Sequence, residues 1–319
     1  MKPEPEAGVL AAILAGERRA LARAMSAVEN ETAAGKALLH ALQPHLGRAR
    51  VTGITGPPGA GKSTLVNALI GAWLARGASI GVVAVDPSSP FSGGAILGDR
   101  IRMGEHQAHA RVFIRSLASR GHGGGLSRTA ARVIDLFDAA GYDQIIVETV
   151  GAGQSEVEVA EVADTRVVVC PPGLGDEVQA LKAGILEIAD ILVVNKADLP
   201  LAERTERELL GMLALHRYGA WTPRVVRTVA TSGAGVPELL DLIERHTAAC
   251  ARERRSHGGR VRRLIAASAA DWVKRNIENL DSCAFEQLCA AVQSGELDYA
   301  AADRQALQLV LRAYGVTER

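Results

Sequence analysis

Gly56-Pro57-Pro58-Gly59-Ala60-Gly61-Lys62-Ser63 is the stretch on which the fold of this chain turns. It satisfies G-x-x-x-x-G-K-[ST], a phosphate-binding loop, and its flanks are those the motif requires. Ahead of it runs Arg50-Val51-Thr52-Gly53-Ile54-Thr55, short and β-branched, which reads as a buried strand. Behind it, Thr64-Leu65-Val66-Asn67-Ala68-Leu69-Ile70 carries apolar residues at helical spacing. Strand, Gly-rich turn and helix N-terminus together aim several backbone N–H groups at one point, which suits a polyphosphate. Gly56 through Thr64 are therefore the candidate phosphate cradle. Lys62 is placed to reach the β- and γ-phosphates, and the Ser63 hydroxyl to ligate Mg²⁺.

Which nucleotide follows from Asn195-Lys196-Ala197-Asp198, delivered by the apolar run Asp190-Ile191-Leu192-Val193-Val194. N-K-x-D then falls at the C-terminal end of a strand, where open α/β sheets bind ligands. The Asp198 carboxylate offers two acceptors to the paired N1–H and N2–H₂ donors of guanine. Adenine would leave that carboxylate unpaired, and an unmet polar group discriminates strongly. Asn195 is expected on the O6/N7 side, with the Lys196 stem over the base face. Ala230-Thr231-Ser232-Gly233 follows another apolar run, and Thr231 or Ser232 is expected to bring a backbone N–H to O6. The bound nucleotide is read as GTP or GDP.

Composition excludes other classes. The 319 residues are 48% hydrophobic, enough for a large core, and suit one large domain with helical additions. Lys+Arg and Asp+Glu number 36 each, so no global field favours nucleic acid or an anionic membrane. Aromatics at 3% weaken any base-stacking case. Cys170, Cys250, Cys283 and Cys289 are scattered without a C-x-x-C pair, which suits reduced thiols in the cytoplasm. Glu4 and Glu6 mark an N-terminus with no uninterrupted apolar stretch, so neither a signal peptide nor a membrane span is expected.

Three regions separate along the chain. Residues 1–48 form an N-terminal helical extension, 49–250 the nucleotide-binding domain, and 251–319 a C-terminal helical extension. Within the central region strand and helix patterns alternate. The predicted strands are Val51–Thr55, Ile80–Asp86, Val112–Ser116, Gln144–Glu148, Arg166–Cys170, Ile191–Asn195 and Arg224–Val229. Such alternation implies an α/β fold, a P-loop NTPase with a mostly parallel sheet flanked by helices.

Hydrolytic equipment is expected between the two motifs. The strand Gln144-Ile145-Ile146-Val147 ends in Glu148, with Gly151 three residues on. Glu148 is read as a water-mediated Mg²⁺ ligand, and Gly151 as a backbone donor to the γ-phosphate. Asp86, ending the run from Gly81, is a second strand-end carboxylate for Mg²⁺. Asp99, in the Gly-rich segment that follows, is a candidate for orienting the attacking water or contacting Mg²⁺; a helix cap is the competing reading. No Gln stands beside Gly151, and Gln154 is too distant to serve as the usual water-positioning residue. Slow hydrolysis by the chain alone is the expectation.

With these segments quoted, the chain resembles the MeaB/ArgK type of P-loop GTPase, accessory proteins of adenosylcobalamin-dependent methylmalonyl-CoA mutase and related acyl-CoA mutases. GITGPPGAGKST, VAVDPSSPFSGGAILGDRIRM, VETVGAGQSE, PPGLGDEVQALKAGILEIAD and VNKADL carry the resemblance over roughly residues 50–200. Cys170 departs from it, standing where the family has an aliphatic residue. The resemblance implies a GTPase chaperone that binds its mutase and gates cofactor loading, protection and reactivation. It also implies a homodimer built with the helical extensions, and a cobalamin adenosyltransferase as a further partner. The loop Gly173–Lys182 corresponds to an extra element that responds to the partner; within it Asp176, Gln179 and Lys182 are polar at near-helical spacing, and Lys182 is the candidate catalytic cation. A plain surface helix start is the competing reading of that loop.

Two other readings stay open. A nickel metallochaperone GTPase needs soft or imidazole ligands close together, whereas Cys170-Pro171 has no nearby His, and His106, His109 and His122 have no Cys partner. A transport-linked ATPase or kinase is opposed by N-K-x-D.

Overall fold

The computed structural model describes residues 7–86, 104–118, 125–149, 162–173, 188–216, 218–249, 257–280 and 282–315. The chain forms two compact units, residues 1–262 and residues 263–319.

The first unit is built on seven parallel strands: β1 (Arg50–Thr55), β2 (Ile80–Asp86), β3 (Val112–Ala118), β4 (Gln144–Thr149), β5 (Thr165–Cys170), β6 (Ile191–Asn195) and β7 (Arg224–Thr228). Their order is β3-β2-β4-β1-β5-β6-β7. All seven expected strands are present, β2 and β6 with the expected bounds and the other five with one end moved by one or two residues. Near-continuous apolar runs are what a strand covered on both faces needs, and β4 and β6 are buried at every position.

Side chains alternate between faces. Ile54, Val82, Ile146, Val169 and Val193 face α4 (Lys62–Ala75), packing on its Leu65, Val66, Leu69, Ile70 and Trp73. The same cluster takes in Leu239, Leu240 and Ile243 of a later helix (Val236–Ala249). On the opposite face Val168, Cys170, Leu192 and Val194 pack with Ala202 and Leu209 of the helix Ala202–Leu213.

The N-terminal helices α1 (Ala7–Leu14), α2 (Arg18–Glu29) and α3 (Ala33–Leu42) belong to this first unit. Three links hold them there. The Asp138 carboxylate, 2% exposed near the end of the helix Gly125–Ala139, accepts the backbone N–H groups of Gly47, Arg48 and Ala49. Arg115 of β3 grips Glu29 through two N–H···O bonds, of 2.6 and 2.8 Å. Arg18 donates to the Val112 carbonyl at 2.6 Å and lies over the Phe113 ring, 5.0 Å from its centroid.

Register is fixed at the N-terminal edge of the sheet by one repeated device. Asp143, Asp164 and Asp190 each stand one residue before a strand (β4, β5 and β6). Each carboxylate accepts a backbone N–H from the neighbouring strand or its approach: Ser79 at 2.8 Å, Val51 at 3.0 Å and Arg166 at 2.8 Å. A charged acceptor on a backbone donor makes a strong bond, and a one-residue slip would forfeit all three. Asp190 goes further, holding the Arg166 guanidinium by two bonds and His246 Nε2 at 3.3 Å. Burial pushes its carboxyl up, but the His246 and Arg166 bonds and charges outweigh that, leaving the pKa lowered to about 2.

The second unit contains most of the helix His257–Glu278 together with the helices Cys283–Gln293 and Tyr299–Ala313. Ser282 and Asp298 cap the last two, accepting from Phe285 and Ala301 N–H. Leu288, Ala302 and Ala306 form its small buried centre, with Phe285 and Ile277 against them. Trp272 meets Tyr314 edge-on, centroids 5.5 Å apart.

Candidate functional site

β1 lies in the middle of the sheet, between β4 and β5, and the chain leaves its C-terminal end into the phosphate loop. β2, β3 and β4 lie to one side and β5, β6 and β7 to the other, so this is the crevice where doubly wound sheets bind ligands. The loop needs glycine at particular points. Gly56 has φ +143°, and a Cβ there would collide with the Val169 carbonyl oxygen. Gly61 has φ +87°, and a Cβ would come within 2.5 Å of Asn195 Nδ2. Gly59, at φ +76°, has open space around it, so its requirement is backbone freedom alone. Helix α4 starts at Lys62 with Gly61 as an N-cap that supplies no side chain, which leaves its first N–H groups for an anion.

Lys62 and Ser63 are 6% and 8% exposed, at the base of the loop. Lys62 Nζ donates to the carbonyls of Gly56 at 2.7 Å and Pro57 at 3.0 Å, curling back over its own loop. Ser63 Oγ donates to Glu148 Oε1 at 2.6 Å. Glu148, 1% exposed, is thus brought from β4 onto the first turn of α4. The two groups are hard oxygen donors, the type Mg²⁺ takes. Asp86 ends β2; its backbone pairs with Ala118, two positions beyond the Ala84↔Glu148 pair. The Asp86 side chain, and all of Asp99, Gly151, Asp176, Gln179 and Lys182, lie outside the described residues.

The guanine turn is anchored from below. Ala197 N–H donates to the Thr228 carbonyl at 3.0 Å, and Leu199 N–H closes back on Lys196 O at 3.0 Å. Lys196 adopts φ +57°, uncommon for a residue with a side chain. Its Cε would stand 3.8 Å from a Cβ on Gly61, so its stem runs beside the phosphate loop. Asp198 is exposed, as a base-reading carboxylate must be before a base arrives.

Asn195 makes contacts that the sequence expectation did not include. Its side chain is 1% exposed and bonded within the protein. Nδ2 donates to Ala60 O at 2.9 Å, with Gly61 O at 3.5 Å, while Oδ1 accepts from Thr228 Oγ1 at 3.0 Å and Ala230 N–H at 3.2 Å. The amide keeps a second N–H, since the 3.5 Å approach to Gly61 O is long for a hydrogen bond. Asn195 is a strut joining the phosphate loop to the 230-turn.

The 230-turn is likewise more inward than expected. Ser232 donates both N–H and Oγ to Val229 O, at 3.1 and 3.2 Å, so the Ser232 N–H is spent within the turn. Ala230 N–H goes to Asn195 and Gly233 N–H to Val229 O. Among the described residues, the Thr231 N–H is the one in this run with no internal acceptor. The turn is tight, since a Cβ on Gly235 would collide with the Arg227 carbonyl.

One group has a root here that sequence reading missed. Gly173, closing the Pro171-Pro172-Gly173 turn after β5, donates its N–H to Thr205 Oγ1 at 3.1 Å. Thr205 is 2% exposed on the helix that follows the guanine turn. The bond spans 32 residues, and no local pattern announces it. Cys170, fully buried beneath the turn, has its thiol pushed up to about 12 by burial and is an inert apolar filler there.

A phosphate loop at the central switch point, a hydroxyl–carboxylate pair at its base and an anchored N-K-A-D turn together define a P-loop GTPase. The sequence model of the family described as methylmalonyl-CoA mutase-associated GTPase MeaB matches residues 21–285, and the chain belongs to that family. A Pyrococcus horikoshii protein carrying a GTPase label is 45% identical over 300 residues, 90% of this chain and 93% of the relative. The GTPase ArgK of Escherichia coli is 38% identical over 274 residues, 82% of this chain and 81% of ArgK. The crystal structure of a LAO/AO transport system kinase superposes with a TM-score of 0.76 at 30% identity, covering 95% of this chain and 97% of that one.

Proposed function

We propose that this MeaB-family GTPase is a chaperone of an adenosylcobalamin-dependent acyl-CoA mutase, hydrolysing GTP while it gates cofactor loading, protection and reactivation of that enzyme. The observation that carries the reading is the family match over residues 21–285, in a chain whose phosphate loop and guanine turn are both assembled. The loop amides and Lys62 bind the triphosphate; Lys62 Nζ exchanges the Gly56 and Pro57 carbonyls for phosphate oxygens. Asp198 and the Thr231 N–H read the base, with the Lys196 stem alongside. Ser63 and Glu148, with Asp86, would hold Mg²⁺, which would supply positive charge against the phosphate oxygens.

Asp99 and Gly151 complete the water and γ-phosphate contacts in this proposal, and Lys182 supplies the cation that stabilises transition-state charge when the mutase is bound. Residues 251–319 contribute to a homodimer, a cobalamin adenosyltransferase is a second partner, and the protein works in the cytoplasm. No helix among the described residues is long and apolar enough to cross a membrane.

The test is GTP turnover with and without purified mutase, alongside recovery of the mutase from the native host. Slow turnover alone and acceleration by mutase, lost in Lys182→Ala with basal rate retained, is the expected result. An unchanged rate with added mutase refutes the coupling, and preferential ATP turnover refutes the guanine reading.

A further inference from the structure

The tips of β1 and β4 are joined on both faces of the sheet. On the α4 face, Glu148 meets Ser63 at the base of the phosphate loop. On the opposite face, Thr149 Oγ1 donates to Thr55 Oγ1 at 3.1 Å. The register pairs Ile54 with Glu148, so Thr55 and Thr149 stand directly opposite one another as the last residues of their strands. Both are buried, 2% and 0% exposed. Thr55 immediately precedes Gly56, whose carbonyl receives Lys62 Nζ, and Thr149 immediately follows Glu148.

The two links behave differently when the site is used. The Ser63–Glu148 contact takes part directly, because Ser63 Oγ can keep donating its proton to that carboxylate while it turns a lone pair to a metal. The Thr149–Thr55 bond lies on the opposite face of the sheet from α4 and takes no part in those contacts. We infer that the Thr149–Thr55 hydroxyl pair is the fixed pivot that keeps Glu148 in register with the phosphate loop, so that Glu148 holds the Ser63 proton while Ser63 turns a lone pair to Mg²⁺. Thr149 and Thr55 are positioning residues acting through Glu148 and Gly56. A valine at either place keeps the shape, removes the bond and leaves the remaining hydroxyl buried without a partner.

This inference rests on the nucleotide and Mg²⁺ reading above, and the experiment separates the two. Dissociation of a fluorescent GDP analogue is followed across a Mg²⁺ titration and again in excess EDTA, for wild type, Thr149→Val, Thr149→Ser and Thr55→Val; melting temperatures are taken alongside. In Thr149→Val the half-saturating Mg²⁺ concentration should rise by about 10-fold, the scale of one lost buried hydrogen bond. Release in EDTA should stay within about 2-fold of wild type, because the phosphate cradle is intact. Thr149→Ser should restore the wild-type Mg²⁺ dependence, and Thr55→Val should match Thr149→Val. An unchanged Mg²⁺ dependence in Thr149→Val overturns the inference. So does a loss of GDP binding in EDTA equal to that in Mg²⁺, which would make the pair a general prop. Failure of the wild type itself to bind GDP would overturn the nucleotide reading instead.

Discussion

Asn195→Ala separates a strut from a base reader. The wild-type amide serves the Ala60 carbonyl, the Thr228 hydroxyl and the Ala230 N–H, in a place that is 1% exposed. Truncation leaves these three groups without a partner in a site too closed for easy hydration. At about 1 kcal/mol for each, the low end for an orphaned buried group, the loss is about 3 kcal/mol. For a unit of this size that corresponds to a fall of roughly 6–12 °C in melting temperature. The measurement is made on nucleotide-free protein, where a residue that only read the base would contribute nothing. Affinity for GDP should fall too, since Ala60 and Gly61 lose the group that pre-sets the loop. The paired control is Asp198→Asn, an exposed position whose change should cost no more than about 0.5 kcal/mol. If nucleotide-free Asn195→Ala melts within about 2 °C of wild type yet has lost guanine selectivity, the strut argument is wrong.

Asp198→Asn should also exchange guanine for xanthine preference, because an amide donor suits a carbonyl at the 2-position; competition binding checks this, and unchanged GTP affinity would remove Asp198 from the base site. Lys62→Ala should lose phosphate binding, whereas Glu148→Ala and Asp86→Ala should chiefly lower turnover at saturating GTP and Mg²⁺; near wild-type turnover in both acidic variants would refute the metal assignment. Asp190 makes a prediction about acid stability. Its folded pKa, about 2, lies below the ordinary aspartate value of 3.8, so its contribution is fully present above the higher value and is lost as pH falls through the lower. Wild type should lose about 2 kcal/mol of stability from this group between about pH 5 and pH 2. Urea unfolding of Asp190→Asn across that window should show a correspondingly shallower pH slope; equal slopes would show that this carboxylate is not the group responsible.

Much of the fold and part of the site were legible because the signals are local. The seven strands announced themselves as short apolar runs, and G-x-x-x-x-G-K-S carries its loop and helix start within eight residues. The pairing of Ser63 with Glu148 could be anticipated only in kind, since 85 residues separate them. Asn195 was read as a guanine contact, and its bonds to Ala60, Thr228 and Ala230 were not foreseen. Its partners lie 33 to 135 residues away in sequence, and a motif does not say which way an amide turns. The docking of the N-terminal helices was hidden for the same reason. Asp138 looks like any helical aspartate until the backbone of Gly47, Arg48 and Ala49 is folded onto it.

The two edges of the sheet divide the work. At the N-terminal edge, aspartates before β4, β5 and β6 spend their charge on backbone N–H groups of neighbouring strands. At the C-terminal edge, Glu148 and Asp198 are left to face side chains and solvent. The difference has a physical cause. A parallel strand presents its first N–H at the N-terminal edge, where a carboxylate satisfies it, and its last carbonyl at the other, where a carboxylate would be repelled. Carboxylates at the C-terminal edge therefore need a cation or a donor from outside the sheet. The chain supplies Ser63 to Glu148; in the proposed function the metal and the guanine donors arrive with the nucleotide. Fixing register with one set of aspartates is what allows the other acidic groups to remain available for exchange, because the strand tips that carry them cannot slide to satisfy them.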